Sequence, residues 1–355
     1  VKAFKIIMSV CTALLLSIVF SVALASAFEV PAGPIAIGLI AIAFIPTPKG
    51  VFCMALQKEI WLGDIVSNLF KANPHLNHAM NADAFVTNKT VHIPNAGGKP
   101  SVERNRLKLP ATVMKRTDVD ISFSLDEFTT DPMLIPNADK YELSYDLRNS
   151  VISEQKATLS EKVGDWFFKY WAPTIAGAIK RTTGSTTVSA HYGTGTRKAM
   201  TIDDIKGLQK LMNQQGVPAD GRYAILDAEM YDQFTSLLSI SQYRDFSAQY
   251  DAANGIIGKI FGFTFLEPRP TVLRYDVTAT PVPYEPEAAE ATTDNGAGLF
   301  WQKDLVIRAL GSHEMFEDLG NPTMYGDVYS ALIRAGGRKK RNDGKGVVAL
   351  VQIVN

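Results

Sequence analysis

The side chains able to do chemistry are few and scattered. The five histidines of this 355-residue chain are His75, His78, His92, His191 and His313. His75 and His78 stand three apart, a spacing that lets two imidazoles share a helix face and a metal ion. No H-E-x-x-H is present and no carboxylate follows at ligand spacing, so the pair reads as two surface histidines near a helix end. Gly193 and Gly195 lie in the Gly/Ser/Thr-rich stretch 181–198 without the third glycine and preceding strand that a phosphate-binding turn needs. Neither G-x-x-x-x-G-K-[ST] nor G-x-S-x-G occurs. Asp203 and Asp204 are neighbours and point apart on a helix, so capping explains them better than paired acid–base work. The run Arg338-Lys339-Lys340-Arg341, flanked by glycines, suits nucleic acid or a neighbour's carboxylates; its plain reading is a solvated β-hairpin tip. Trp166, Phe167, Phe168, Tyr170 and Trp171 crowd one stretch and serve either core packing or an oligomer contact. The triplet Asn88-Lys89-Thr90 matches a glycosylation sequon but is common by chance. No catalytic, cofactor or metal set is read here.

Totals narrow the classes further. Formal net charge is zero, which gives no global pull towards nucleic acid or an anionic membrane. Both cysteines, Cys11 and Cys53, fall in the apolar N-terminal region, so the rest of the chain has no disulfide framework and no thiolate metal site. Residues 1–53 differ in character from the remainder of the chain. Lys2 and Lys5 precede an apolar run, Ile6 to Ala27, with small residues at Ala23, Ala25 and Ala27, the pattern of a secretory signal. A second apolar run, Gly33 to Ile45, is short for a membrane span. Two readings stand: a real signal or anchor, or an over-long reading frame whose product begins at Met54.

The elements that would position any site are clearer. From Lys140 to Ala172 apolar residues recur at Leu143, Leu147, Val151, Ile152, Leu159, Val163, Trp166, Phe167 and Tyr170, one face of a helix, with Glu154, Lys156, Glu161 and Lys162 on the reverse. Asn137 and Asp139 suit its start and Pro173 its end. Such a rod would be roughly 50 Å long, longer than one small domain needs. Residues 54–86, with Leu56, Ile60, Ile65, Leu69 and Phe70 before the Asn73-Pro74 break, read as an arm docking elsewhere or as the first helix of the core. Two alternating runs, 89–94 and Val119, Ile121, Phe123, Leu125, joined by a long polar segment, predict an extended β-hairpin arm. Thr201 with Asp204 is a capping-box variant opening a helix through Ile205, Leu208, Leu211 and Met212. Gly221 to Leu226 reads as a buried strand, Asp227 as a cap for a helix carried by Met230, Phe234, Leu237 and Leu238, Gly255 to Phe265 as a turn into a strand, and Pro281 to Glu290 as an exposed loop. Leu299 to Ile307 and Val347 to Val354 read as strands.

This order of elements resembles the tailed-phage major capsid proteins with the HK97-like fold. Val217 to Leu226 followed by Met230-Tyr231 looks like the family's axial-domain segment P-x-x-x-R-y-x-v-l-x-p-e-x-y, and Asp251 to Phe265 like its G-x-i-G-x-i-x-G-f-x-v. Gly298 to Leu310, Tyr325-Gly326 and Arg334 to Gly337 look like its closing strands. The resemblance covers Met54 onward and implies an α+β fold with six parts. These are a leader (1–53), an N-terminal arm (54–88), an extended hairpin or E-loop (89–135), spine helix and peripheral domain (136–200), axial domain (201–297), and a return to the peripheral domain (298–355). It implies a non-enzymatic structural subunit forming hexamers and pentamers in an icosahedral shell around double-stranded DNA. It would be located in the virion, assembled in the host cytoplasm, and would need no cofactor or small-molecule substrate. Scaffold, portal and decoration proteins are the further partners implied. Neighbour contacts are expected at Asn95, Gly97, Arg104, Arg106, Phe123, Trp166 and Trp171, and inner-face or junction contacts at Arg338, Lys339, Lys340 and Arg341. Capsid subunits are not exported, which favours the over-long frame for residues 1–53. The other classes are an encapsulin-like nanocompartment shell and a secreted or membrane-anchored enzyme, the latter predicting a convergent polar site.

Overall fold

The computed structural model describes residues 64–95, 102–107, 110, 113, 119–136, 147–192, 194–276, 282–341 and 343–353, with side chains at all of these except 94, 95, 119 and 147–149. The expected leader, the start of the arm, and the first residues and caps of the long helix lie outside them.

A seven-stranded sheet holds the core. Its order is β11 (Ile256–Ile260), β12 (Phe263–Leu266), β10 (Arg222–Ile225), β14 (Asn295–Gln302), β17 (Val347–Val351) and β7 (Ile179–Arg181); β13 (Leu273–Tyr275) pairs with the start of β14. Period-two alternation sends the two halves of each central strand to different cores. Val347, Ala349 and Val351 of β17 join Leu299 and Trp301 of β14 on one face. Val348, Leu350 and Phe300 join Ile205, Leu208, Met212, Met230 and Phe234 on the other. Fully burying each such Val, Leu or Phe stabilises by about 1.5–3 kcal/mol. Two helices supply that second face: α3 (Ile202–Gln214), opened by the expected Thr201–Asp204 capping box, and α4 (Ala228–Leu237), capped by Asp227 accepting from the Met230 amide. A short α5 (Ile240–Ser247) follows, with its own Ser239–Gln242 capping box.

The second sheet is built on a long hairpin, β15 (Val306–Asn321) with β16 (Gly326–Lys339). Strand β1 (Met80–Asn81) pairs parallel with β15, while β5 (Asp126–Thr129) and β6 (Met133–Pro136) share the outer edge of β16. The spine helix α2 (Leu147–Trp171) lies across β16. Its 25 residues span about 37 Å. Val151, Ile152, Leu159, Val163 and Phe167 are buried as the periodicity predicts. The reverse face departs from expectation: Lys156 is buried, its Nζ donating to Asp64 Oδ2 at 3.2 Å, and Phe168 and Trp171 are fully buried. A second layer covers them, namely α1 (residues 64–72) with Ile65 and Leu69, followed by Leu76. The segment after Asp64 is therefore part of the core, the plainer of its two readings. It lies so close to α2 that a Cβ on Gly164 would fall 1.9 Å from Asn73 Oδ1.

Three stretches differ from the sequence reading. Residues 255–265 form the hairpin β11–β12, turned by Phe261 and Gly262 at φ of 50° and 75°, where a single strand was expected. The expected strand 299–307 is two, broken by a 3-10 turn at Lys303–Leu305 that moves the chain from one sheet to the other. Strand β14 crosses the boundary expected at 297/298, and β17 and β7 pair with each other, so the seven-stranded sheet draws on residues from 179 to 351. All described residues fall within one unit, Trp61–Asn355.

Candidate assembly surfaces

The predicted hairpin is present at its root. Strand β3 (Thr90–Asn95) pairs antiparallel with β4 (Val119–Ser124), Thr90 opposite Ser124 and Asn95 opposite Val119. Val91, Ile93 and Ile121 pack under the ribbon on Ala82, Leu125, Ile307 and Ala309, which anchors it to β15. Phe123 is half-buried on that same cluster, and His92 Nδ1 sits 2.7 Å from Asp120 Oδ2 across the strands. Beyond the root the described residues are open to water. Val102, Leu107 and Val113 are 95%, 96% and 93% exposed. Arg104 is exposed, and Arg106 Nε pairs with Glu103 Oε2 at 3.2 Å. Gly97 lies outside the described residues.

Beside that root a groove of about 620 Å³ opens between α2 and the β5–β6 edge. Phe128, Met133, Leu159, Trp166 and Tyr170 line it, with Asp131 and Glu154 among the charged residues at its walls. Trp166 is part-buried there, edge-on to Phe128 at 6.1 Å, with Lys169 Nζ 5.3 Å from its ring centre. Glu127 accepts from Lys89 at 2.9 Å and lies 3.6 Å from Arg334, while Tyr170 donates to Asp126. Two further apolar patches face outward. One is the turn end of the β15–β16 hairpin, with Phe316, Met324 and Tyr325; the other is the α4–α5 corner, with Leu237, Ile240 and Tyr243.

Other expected sites turn inward. Trp171 is fully buried, its Nε1 donating to Ile307 O at 3.0 Å, so the neighbour contact expected of it is replaced by core packing. The basic run covers the last two residues of β16 and the two that follow it, distant from the hairpin turn, and each has a partner within the chain. Arg338 donates to Ser122 O, Lys339 to Ala172 O at 2.7 Å and Arg341 to Asp343 at 2.6 Å, while Lys340 Nζ lies 3.6 Å from Met80 Sδ. Burial, and secondarily Arg338, lowers the Lys339 ammonium from its ordinary range. The Arg341 contact holds the Asp343 carboxyl at about 2.

His75 and His78 are not surface residues of a helix end. The 3-10 turn Pro74–His78 buries His75 against Phe168, ring centres 4.2 Å apart, with Nε2 donating to Gly164 O at 3.2 Å. Burial, then the Arg269 charge, holds its pKa well below 6.5. His78 stacks on Tyr223 at 4.1 Å, and its carbonyl accepts from Trp301 Nε1 at 2.9 Å. Arg269 belongs to no sequence motif, yet it ties three segments. Nη2 donates to Ala72 O and Asn73 Oδ1 at 2.7 and 2.6 Å, and Nη1 reaches Asp165 at 3.4 Å. Burial outweighs that pairing and lifts the Asp165 carboxyl to about 6. Asp227 is also buried, one oxygen capping α4 and the other without a hydrogen-bond partner, and burial raises it to about 6. Among the described residues no group of three or more His, Cys, Asp and Glu is placed to hold a metal, and no helix is long and apolar enough to cross a membrane.

No family model and no curated protein matches this sequence. Solved structures match by shape. The capsid of cyanophage P-SCSP1u aligns at 15% identity over 77% of this chain and 86% of its own, with TM-score 0.55. The capsid of Ralstonia phage GP4 aligns at 14% over 78% and 87%, TM-score 0.55, and the capsid of a native GTA particle at 11% over 79% and 89%, TM-score 0.53. At such identities the likeness is one of fold, and the chain has the α+β HK97-like capsid fold.

Proposed function

We propose that the chain is the structural subunit of an icosahedral capsid, associating with copies of itself as hexamers and pentamers around double-stranded DNA. The observation that carries this is the hairpin arm, whose Val102, Leu107 and Val113 are almost wholly exposed while its root is packed into the subunit. A lone protein gains nothing by projecting apolar residues into water. A subunit repeated around symmetry axes buries them against its neighbours. The capsid fold, the apolar β15–β16 turn and the apolar α4–α5 corner support the same reading. The role is architectural and non-enzymatic, the location is the virion after assembly in the host cytoplasm, and scaffold and portal proteins are the expected auxiliary partners.

Electron microscopy of the expressed chain, with and without residues 1–53, tests this. Closed shells, rings or tubes are expected from at least one of the two, and monodisperse small particles from both at high concentration would overturn the proposal. Shells that retain protein cargo and no DNA would move the reading to a nanocompartment.

A further inference from the structure

We propose that the groove between α2 and the β5–β6 edge binds a linear organic polycation, an apolar chain with an ammonium at each end, the chemistry of the polyamines. One copy of the chain supplies both walls and the floor, so the site goes beyond the assembly reading and does not depend on it.

Negative charge dominates the groove. Five carboxylates line it, Asp126, Glu127, Asp131, Glu154 and Glu287, against one cation, Lys162. Three of the five are engaged within the chain: Asp126 accepts from Tyr170, Glu127 accepts from Lys89, and Glu287 lies 3.9 Å from Lys162. Asp131 and Glu154 are exposed and form no ion pair with any described residue. Asp131 stands between β5 and β6 and Glu154 on α2, so these two charges come from opposite walls. Gln155 adds an independent sign of a missing partner. Its side chain is buried in the lining, Nε2 donates to Tyr329 O at 3.0 Å, and Oε1, the other end of the amide, accepts from no described residue. A buried orphan acceptor among carboxylates calls for a donor, and an ammonium group is a donor only.

Between the walls the floor is aromatic. Phe128, Trp166 and Tyr170 run in series, with successive ring centres 6.1 and 5.9 Å apart, and Met133 and Leu159 lie beside them. Aromatic faces attract a cation and also pack against methylene groups. Trp166 already does so once, with Lys169 Nζ 5.3 Å from its ring centre. A metal dication fits this lining poorly. Among the described residues no group of three or more His, Cys, Asp and Glu is placed to hold one, and a hydrated ion gains nothing from an aromatic floor. A small monoamine reaches one wall. A chain with an amine at each end reaches both and lays its methylenes on the rings, where burial adds to charge. The volume of about 620 Å³ is ample for such a chain.

The test uses the unassembled fraction of the full chain, separated by size exclusion, with spermidine as the probe in calorimetric titration. Saturable binding of one spermidine per chain is expected. Asp131→Asn with Glu154→Gln should weaken it by about tenfold, the loss of two partly screened ion pairs. Trp166→Leu should weaken it by about fivefold, the loss of the strongest ring face. Both carboxylates lie at the surface, so the double variant should melt with the unsubstituted chain, which separates a lost site from a lost fold. Magnesium at matched ionic strength should not displace the probe. Absent binding, binding unchanged in the double variant, or equal displacement by magnesium would each overturn the site. None of these outcomes bears on particle formation, so failure of the site is distinguishable from failure of the assembly reading.

Discussion

Strands β14 and β15 are three residues apart in sequence and are built on opposite plans. Every residue of β14, Asn295 to Gln302, is buried, because helices cover one face of its sheet and the spine-helix core covers the other. Strand β15 starts the same way at Val306 and Ile307, then loses cover until Phe316 and Leu319 are open to water near its turn. The first strand is finished within its own subunit. The second is half finished, and a long hairpin edge bearing apolar residues invites pairing or packing by another chain. The contrast separates the apolar residues that fold the chain from those left open to water, which the proposed assembly would cover.

Substitutions can break that contrast. The largest effect is expected at Trp171, wedged between Trp301 of β14 and Phe167, where Trp171→Ala should cost about 3–5 kcal/mol in unfolding measured by denaturant. Next is Asp227→Asn. The folded carboxyl holds its proton up to about 6, against 3.8 for the free group, so this residue's contribution to stability is greatest below 3.8 and is lost as pH rises through 6. Asparagine keeps the helix cap and removes the buried charge, so the variant should be more stable at pH 7 by up to about 3 kcal/mol and unchanged near pH 3.5. Melting curves at the two pH values check this. His75 slopes the other way. Its folded pKa is depressed, so the unfolded chain takes up the extra proton below 6.5 and stability should fall as pH drops through that value. The fall should amount to at most about 1.4 kcal/mol per pH unit, and His75→Asn should flatten the slope even though it lowers stability overall. The smallest effect is expected at the open end. Tyr325→Ser should change subunit unfolding by no more than about 0.5 kcal/mol, while light scattering should show slower assembly. A loss of several kcal/mol there would mean the tip belongs to the subunit's own core.

The same contrast explains what is legible in the sequence. Local signals survive intact: Thr201 and Asp204 form the capping box, Asp227 caps α4, and the alternation of Val91 and Ile93 against Ile121 and Phe123 marks a hairpin in the right place. The full length of the β15–β16 hairpin is not legible, because two bulges, after Leu310 and after Asp318, interrupt its alternation and its exposed half is rich in charge. The β11–β12 turn is hidden because Phe261 takes a conformation more often given to Asn or Gly. The groove is only half legible: Trp166 is among the expected contacts, but its wall residues Asp131 and Glu154 carry no motif and meet only in three dimensions. The sequence reading places Trp171, His75 and Lys156 too far outward for a common reason. Nothing local announces that α1 and the turn after it will cover the back of the spine helix.

Strand β17 occupies an interior place in its sheet, between β14 and β7, and pairs with residues up to 170 positions earlier in the chain. During synthesis the sheet therefore waits, with β14 and β7 each missing a side, until residue 351 has emerged. Pairing across so long a stretch of chain is slow by topology, and until it happens the sheet is open at its middle. A polypeptide interrupted before Val347 lacks the middle of its own core and would be a substrate for proteolysis.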